Sequence, residues 1–294
     1  MSAHLTHRRA LLLMLASAAC FTANVLLVRA LGERHAGNTW LVSVARFVVG
    51  LVIIAVVYRR EFQPAHLFQK RKLIERGIIG GIGVYLTYLT IVKLGAGRAT
   101  FIGNSYVIWG ALLAALILKE RLSPAVLISS LAALTGIGLL TNVFSTTDHP
   151  GIYDLLAVLV SLISAFVVVT IRQLHGSEHT STIFAAQCVY GLIICAIPAW
   201  VTYQPLPLEA WAVIMLASIV AAVGQLSMTR AFRDLPVAEG SLLQMLVPLG
   251  IAVGGAVWFH EHFAIHEILG AALILGGTAY TALGKTTPNA GATD

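Results

Sequence analysis

Polar and charged residues interrupt this chain in short bursts. Between the bursts run apolar stretches close to the roughly 20 residues that a helix needs to cross a bilayer. Ten such spans can be delimited: 10–31, 39–58, 74–93, 98–118, 123–143, 153–173, 180–201, 209–231, 236–259 and 264–284. A membrane β-barrel would alternate apolar and polar positions over about ten residues, and that alternation is missing. The pattern predicts an all-α integral membrane protein with ten transmembrane helices. The first span needs separate treatment, because Arg8 and Arg9 before "ALLLMLASAAC" resemble the basic and apolar regions of a signal peptide. Apolar character continues to Leu31, and the position three before Cys20 is Ser17 rather than a large aliphatic residue. It is read here as the first membrane helix.

Two charged islands break the apolar background in the same way. "LILKERLS" (116–123) and "VWFHEHFA" (257–264) carry Glu120 and Glu261, which lie 141 positions apart. The same offset lays "NTWLVSVARFVVGL" (38–51) over "HTSTIFAAQCVYGL" (179–192), and it matches Gly83 with Gly224, Leu94 with Leu235 and Gly136 with Gly277. Each copy holds five spans. An odd number makes the second copy enter the membrane from the opposite side, giving two inverted five-helix repeats over 1–146 and 147–294. The islands are then equivalent turns on opposite faces, where unpaired backbone groups at helix ends meet water. Inverted repeats of this kind recur in secondary transporters, with the binding site between the halves.

Composition agrees with a lipid-embedded chain. The protein is 58% hydrophobic and 11% charged, against about 25% charged residues in soluble domains, and its mean hydropathy is +0.85. Of the 19 Lys and Arg residues, Arg29, Arg34, Lys93 and Arg98 fall on one side and Arg46 lies within a span. The others, Arg76 among them, fall on the side that holds the N-terminus. By the positive-inside rule both termini are cytoplasmic, and the net charge of +6 reports topology rather than nucleic-acid binding. Cys20, Cys188 and Cys195 lie in separate spans and offer neither a disulfide framework nor metal-ligand spacing.

The run "LGAGRATFIGNSYVIWGALLAALILKERLSPAVLISSLAALTGIGLL" (94–140), its second version at 235–283 and "ARFVVG" in the second span resemble the drug/metabolite transporter superfamily, EamA-type. The resemblance implies ten helices as two inverted five-helix repeats and export of amino acids, metabolites or toxic small molecules. The first span, "AACFTANVLLVRAL", lacks the tryptophan that many members place near Phe21.

Arg46 is the outstanding candidate for function. It sits about eight positions into its span, roughly 12 Å along a helix, where a charge needs a polar cavity or a partner. One reading has it attract a substrate carboxylate or phosphate. The other has it bond helix carbonyls or snorkel outward, and the resemblance implies an arginine here across many substrates. Its repeat equivalent is the neutral Gln187. Asn24, Tyr85, Tyr88, Asn104, Trp109, Gln225 and Gln244 are further candidates for lining a substrate pathway, since such side chains supply flat contact area and orienting hydrogen bonds. Tyr85 and Tyr88 share a helix face by spacing, as do Gln225 and Thr229. Helix–helix hydrogen bonding accounts for each of these singly. Glu239, at the start of the ninth span, is the nearest carboxylate to a midplane position, so no coupling ion is assigned.

The "HEHFAIHE" stretch does not form a zinc-protease motif, because Ala264 and Gly270 stand where the second histidine would be required. No metal, cofactor or catalytic residue is expected. Together these readings describe an inner-membrane secondary transporter that moves a small organic metabolite, amino-acid-like or drug-like, by alternating access and outward. The last helix pair of each half would brace the scaffold or mediate homodimer formation. Rival readings are a non-transporting sensor or scaffold subunit and a membrane-embedded enzyme; the latter would need a nucleophile–base pair, a carboxylate dyad or a metal triad at membrane depth.

Overall fold

The computed structural model describes residues 2–34, 38–120, 123–141, 143, 150–259 and 264–284. Among these the helices are α1 (Ser2–Arg34), α2 (Thr39–Val57), α3 (His66–Gln69), α4 (Arg71–Leu94), α5 (Ala96–Asn104), α6 (Tyr106–Leu118), α7 (Pro124–Leu140), α8 (Ile152–Leu174), α9 (Thr180–Val201), α10 (Leu208–Ala231), α11 (Val237–Gln244), α12 (Leu246–Phe259) and α13 (Ile265–Gly284). Eight stretches are long and apolar enough to cross a membrane: Thr6–Gly32, Thr39–Val57, Arg71–Leu94, Gly97–Leu118, Ile152–Leu174, Thr180–Val201, Leu208–Ala231 and Val237–Gly255. Pro124–Leu140 and Ile265–Tyr280 are apolar but shorter.

Local chemistry sets many of the ends. The Asn38 side chain accepts hydrogen bonds from the Trp40 and Leu41 amides and so starts α2. Asp154 reaches back to the Gly151 amide at 2.8 Å and starts α8, and Pro124 occupies the first turn of α7, where its missing N–H costs nothing. Gly95, at φ +79°, allows the tight passage from α4 into α5.

Two spans expected to be unbroken, 98–118 and 236–259, are each split. The Ser105 amide bonds the Ile102 carbonyl at 3.2 Å, and the Met245 amide bonds the Leu242 carbonyl at 3.0 Å. These tight turns replace α-helical bonds. In the second case Pro248 has no N–H to offer the Gln244 carbonyl. The two breaks fall at nearly equivalent positions of the repeat, next to the central cavity.

Helices related by the 141-residue offset pack on one another. α2 and α9 run antiparallel: Asn38 bonds Thr202 at 2.8 Å, Phe47 lies against Gly191, Gly50 against Cys188, and the Tyr58 ring is 5.9 Å from His179. α7 and α13 are also antiparallel, with Ser129 against Gly277 and Gly136 against Gly270. α1 packs on α10 and, equivalently, α4 on α8. The main core joins α1, α2, α4, α8, α9 and α10; a smaller one joins Val107, Ile137, Leu242 and Ile274.

Charges at the end of the bundle that holds α3 tie the two halves together. Glu120, in the first island, lies 3.4 Å from Arg172 and accepts the Val237 amide at 3.0 Å, capping α11. Its counterpart Glu261 lies outside the described residues, as do His260 and His262. Glu178, buried in the turn between α8 and α9, accepts from Lys70 and, at 2.9 Å, from His66. Burial pushes its carboxyl up, but the hydrogen bonds and charges of Lys70 and His66 outweigh that and hold it below the ordinary 4.5. A carboxylate with a depressed folded value stabilises the protein above its unfolded value and loses that contribution as pH falls through the folded one. Glu178→Gln is expected to remove about 1–2 kcal/mol at neutral pH, read as a lower Tm. The difference from the parent should shrink as pH falls below 4.5; a constant difference down to strong acid would refute the ion-pair account.

Candidate functional site

A cavity of about 260 Å³ lies where the two sets of helices meet. Its lining comes from α1, α2, α4, α5 and α6 on one side and from α8 to α12 on the other. α7 and α13 contribute no described residue to it. Val84, Ile91, Val160, Ile163, Val168, Val247 and Ile251 make the apolar wall, and a small set of polar side chains interrupts it. This is the usual build of a small-molecule site: apolar contact area with a few orienting groups.

The polar set centres on Arg46, which is only 7% exposed. One guanidinium nitrogen donates to the Tyr88 hydroxyl at 3.1 Å and the other to the Gln225 side-chain carbonyl at 3.2 Å. The Tyr88 hydroxyl donates in turn to Asn24 at 3.4 Å, and the Asn24 amide donates to the Ala217 carbonyl at 3.0 Å. The guanidinium carbon also sits 5.8 Å from the Phe21 ring centre, close enough for a cation–π contact. Every partner of Arg46 here is neutral, and no Asp or Glu is among the described lining residues. Arg46 therefore points into the bundle rather than snorkelling, and its hydrogen bonds go to side chains rather than helix carbonyls.

Seven of the nine residues singled out from sequence reach this cavity: Asn24, Arg46, Tyr88, Asn104, Gln187, Gln225 and Gln244. Gln244 donates to Ser17 at 2.9 Å, Asn104 to the Thr100 carbonyl at 2.8 Å, and Gln187 to the Gly80 carbonyl at 3.2 Å. Tyr85 and Trp109 are elsewhere. A spacing of three leaves Tyr85 about 60° around the helix from Tyr88, and it stacks on Trp40 with ring centres 3.4 Å apart. Trp109 is 42% exposed on the outside of the bundle, where an aromatic ring suits lipid as well as a cavity.

Arg76 was missed from sequence because it was counted with the cytoplasmic charges, although it lies just inside the 74–93 span. It is 0% exposed and donates to Gln187 at 2.9 Å. The overlooked signal is its spacing to Gly80, which puts it on the inward face of α4. Glu239 is buried in the first turn of α11, 3.4 Å from His7 and away from the cavity lining. Among the described residues no group of three His, Cys, Asp or Glu is placed to hold a metal ion, and the described lining holds no Cys or His.

Comparison with known proteins decides the family. The model of the EamA-like transporter family matches residues 8–142 and again 151–283. The chain belongs to the EamA-like transporter family. Among curated proteins it is similar to the pseudopaline exporter CntI of Pseudomonas aeruginosa, in strains UCBPP-PA14 and PAO1. Each is 24% identical over 188 residues, 64% of this chain and 66% of that exporter. An uncharacterized transporter of Helicobacter pylori strain J99 is 25% identical over 176 residues, 56% of this chain and 58% of that one. The chain thus spans about two thirds of the curated relatives' length, or less. A crystal structure of a protein 19% identical in sequence superposes with a TM-score of 0.75 over 96% of each chain, which shows the shared fold. The EamA-like family and these named relatives are transporters, not enzymes.

Proposed function

We propose that this EamA-like protein is a secondary carrier of the bacterial inner membrane that exports a small organic solute bearing a carboxylate. The observation that carries the reading is Arg46: a guanidinium buried in the wall of a mostly apolar cavity, held by neutral partners and facing no described carboxylate. Such a site is incomplete without an anion. The apolar wall and the amides of Asn24, Gln187, Gln225 and Gln244 suit a solute with both apolar and polar parts. Outward movement is supported by the similarity to exporters of a metabolite.

The mechanism proposed is alternating access between two inverted five-helix halves, 1–146 and 147–294, that cross the membrane ten times in all with both termini cytoplasmic. Antiparallel packing of equivalent helices supports this, since a two-fold axis in the membrane plane pairs α2 with α9 and α7 with α13 in that sense. The first four crossing segments of each half would carry the pathway while α7 and α13 brace it. Single-cysteine labelling in intact cells and inverted vesicles tests the topology. Positions 120 and 261 are expected to react from opposite sides, and reaction of both from one side would remove the inverted arrangement. Saturable counterflow in liposomes containing only this protein tests the carrier itself and separates it from a sensor subunit, which would show none.

A further inference from the structure

Arg76 is fully buried, yet two of its three guanidinium nitrogens, Nε and Nη1, have no hydrogen-bond partner. Nη2 donates to the Gln187 side chain at 2.9 Å. Among the described residues Arg76 makes no ion pair. A buried cation left in this state is expensive, so the arrangement has a use beyond packing. Nη1 lies against Gly80, a residue of the cavity wall: a Cβ on Gly80 would sit 2.0 Å from it. Only glycine leaves room for the guanidinium there. Gln187, also in the cavity wall, covers Arg76 with a neutral amide whose other end is held at the Gly80 carbonyl.

We propose that Arg76 is a second anion contact of the cavity, exposed when the Gln187 side chain turns away, and that the protein selects solutes carrying two carboxylates. This rests on the reading of Arg46 as the first anion contact. The antiparallel register of α2 and α9, with Phe47 at Gly191 and Gly50 at Cys188, offsets the backbone positions of Arg46 and Gln187 by about five residues, roughly 7.5 Å along the helix axis. Two carboxylates at the ends of a short chain span such a distance. A carboxylate can take the place of the Gln187 amide oxygen on Nη2 and engage an unpartnered nitrogen beside it, which is the paired geometry that arginine favours. One solute would then bridge the two cations, neutralising both inside an apolar wall.

The test uses the purified full chain and a length series of straight-chain dicarboxylates, each beside the monocarboxylate of equal length. Affinities are measured by calorimetry. The parent protein is expected to prefer the dicarboxylate of best length by about tenfold, and Arg76→Gln to bring that ratio close to unity. Arg76→Lys, which keeps the charge, should give an intermediate ratio, and Gln187→Ala, which uncovers Arg76, a larger one. These two carry the test if the glutamine variant does not fold. Binding of both classes with a ratio that none of these substitutions alters overturns the second contact and leaves Arg46 its role. Binding of neither class by the parent protein removes the anion reading of Arg46 and this inference with it.

Discussion

Arg46→Ala is expected to lower the affinity for any transported carboxylate about 30- to 140-fold and to reduce counterflow accordingly. The magnitude follows from losing charge-assisted hydrogen bonds worth about 2–3 kcal/mol, at about 1.4 kcal/mol per tenfold. The low-polarity wall of Val84, Ile91, Val168 and Ile251 weakens water's competition for the anion, so the effect belongs at the upper end of that range. Arg46→Lys should recover part of the loss. It keeps the charge but cannot hold Tyr88, Gln225 and a ligand with one planar fork. Both variants are expected to keep the helical scaffold, because Arg46 bonds side chains rather than the backbone; unfolding temperature in detergent checks that the compared samples are folded. Counterflow by Arg46→Ala at the parent rate for a confirmed carboxylate substrate would end the binding role.

The largest effect on stability is expected at the seam between α7 and α13. A Cβ on Gly270 would lie 2.5 Å from the Gly136 carbonyl and 2.7 Å from the Leu140 amide nitrogen. Both obstacles are backbone, so no rotamer change can relieve the clash and the helices must separate. In a bilayer helix association depends on van der Waals packing rather than on a hydrophobic gain, so separation sacrifices the main attraction between these two helices. Gly270→Leu is expected to cost about 3 kcal/mol, offset by about 1 kcal/mol of helix propensity. Gly276→Leu is the control: it lies on the same helix with nothing within 4 Å of the added carbon, and it should be neutral or mildly stabilising. Equal unfolding temperatures for the two variants would refute the seam.

Arg46 shows why part of the site was legible. A cation inside an apolar span is conspicuous in one dimension, and its helix position implies that it faces something polar. Asn24, Gln187, Gln225 and Gln244 were visible for the same reason. Tyr85 and Trp109 show the limit, since an aromatic ring is at home in a cavity, in a stack or against lipid, and hydropathy does not distinguish these. Arg76 failed in the opposite direction: near the end of an apolar run, a charge reads as a loop residue unless the helix is known to continue past it. The breaks at Ser105 and Met245 were equally hidden, because a single tight turn leaves the apolar pattern intact.

Hydropathy and the 141-residue self-similarity by themselves determined the solvent, the helical class with its approximate spans, and the candidate polar residues, because each is a property of neighbours along the chain or of a constant offset. Tertiary structure decided which faces those helices turn inward. A helix can rotate about its axis at no local cost, and its phase is set by contacts from the other half of the chain, such as Gly191 against Phe47 and Asn24 against Ala217. Those contacts join residues well over a hundred positions apart, and they alone bring Arg46 into the cavity wall and place Arg76 behind Gln187.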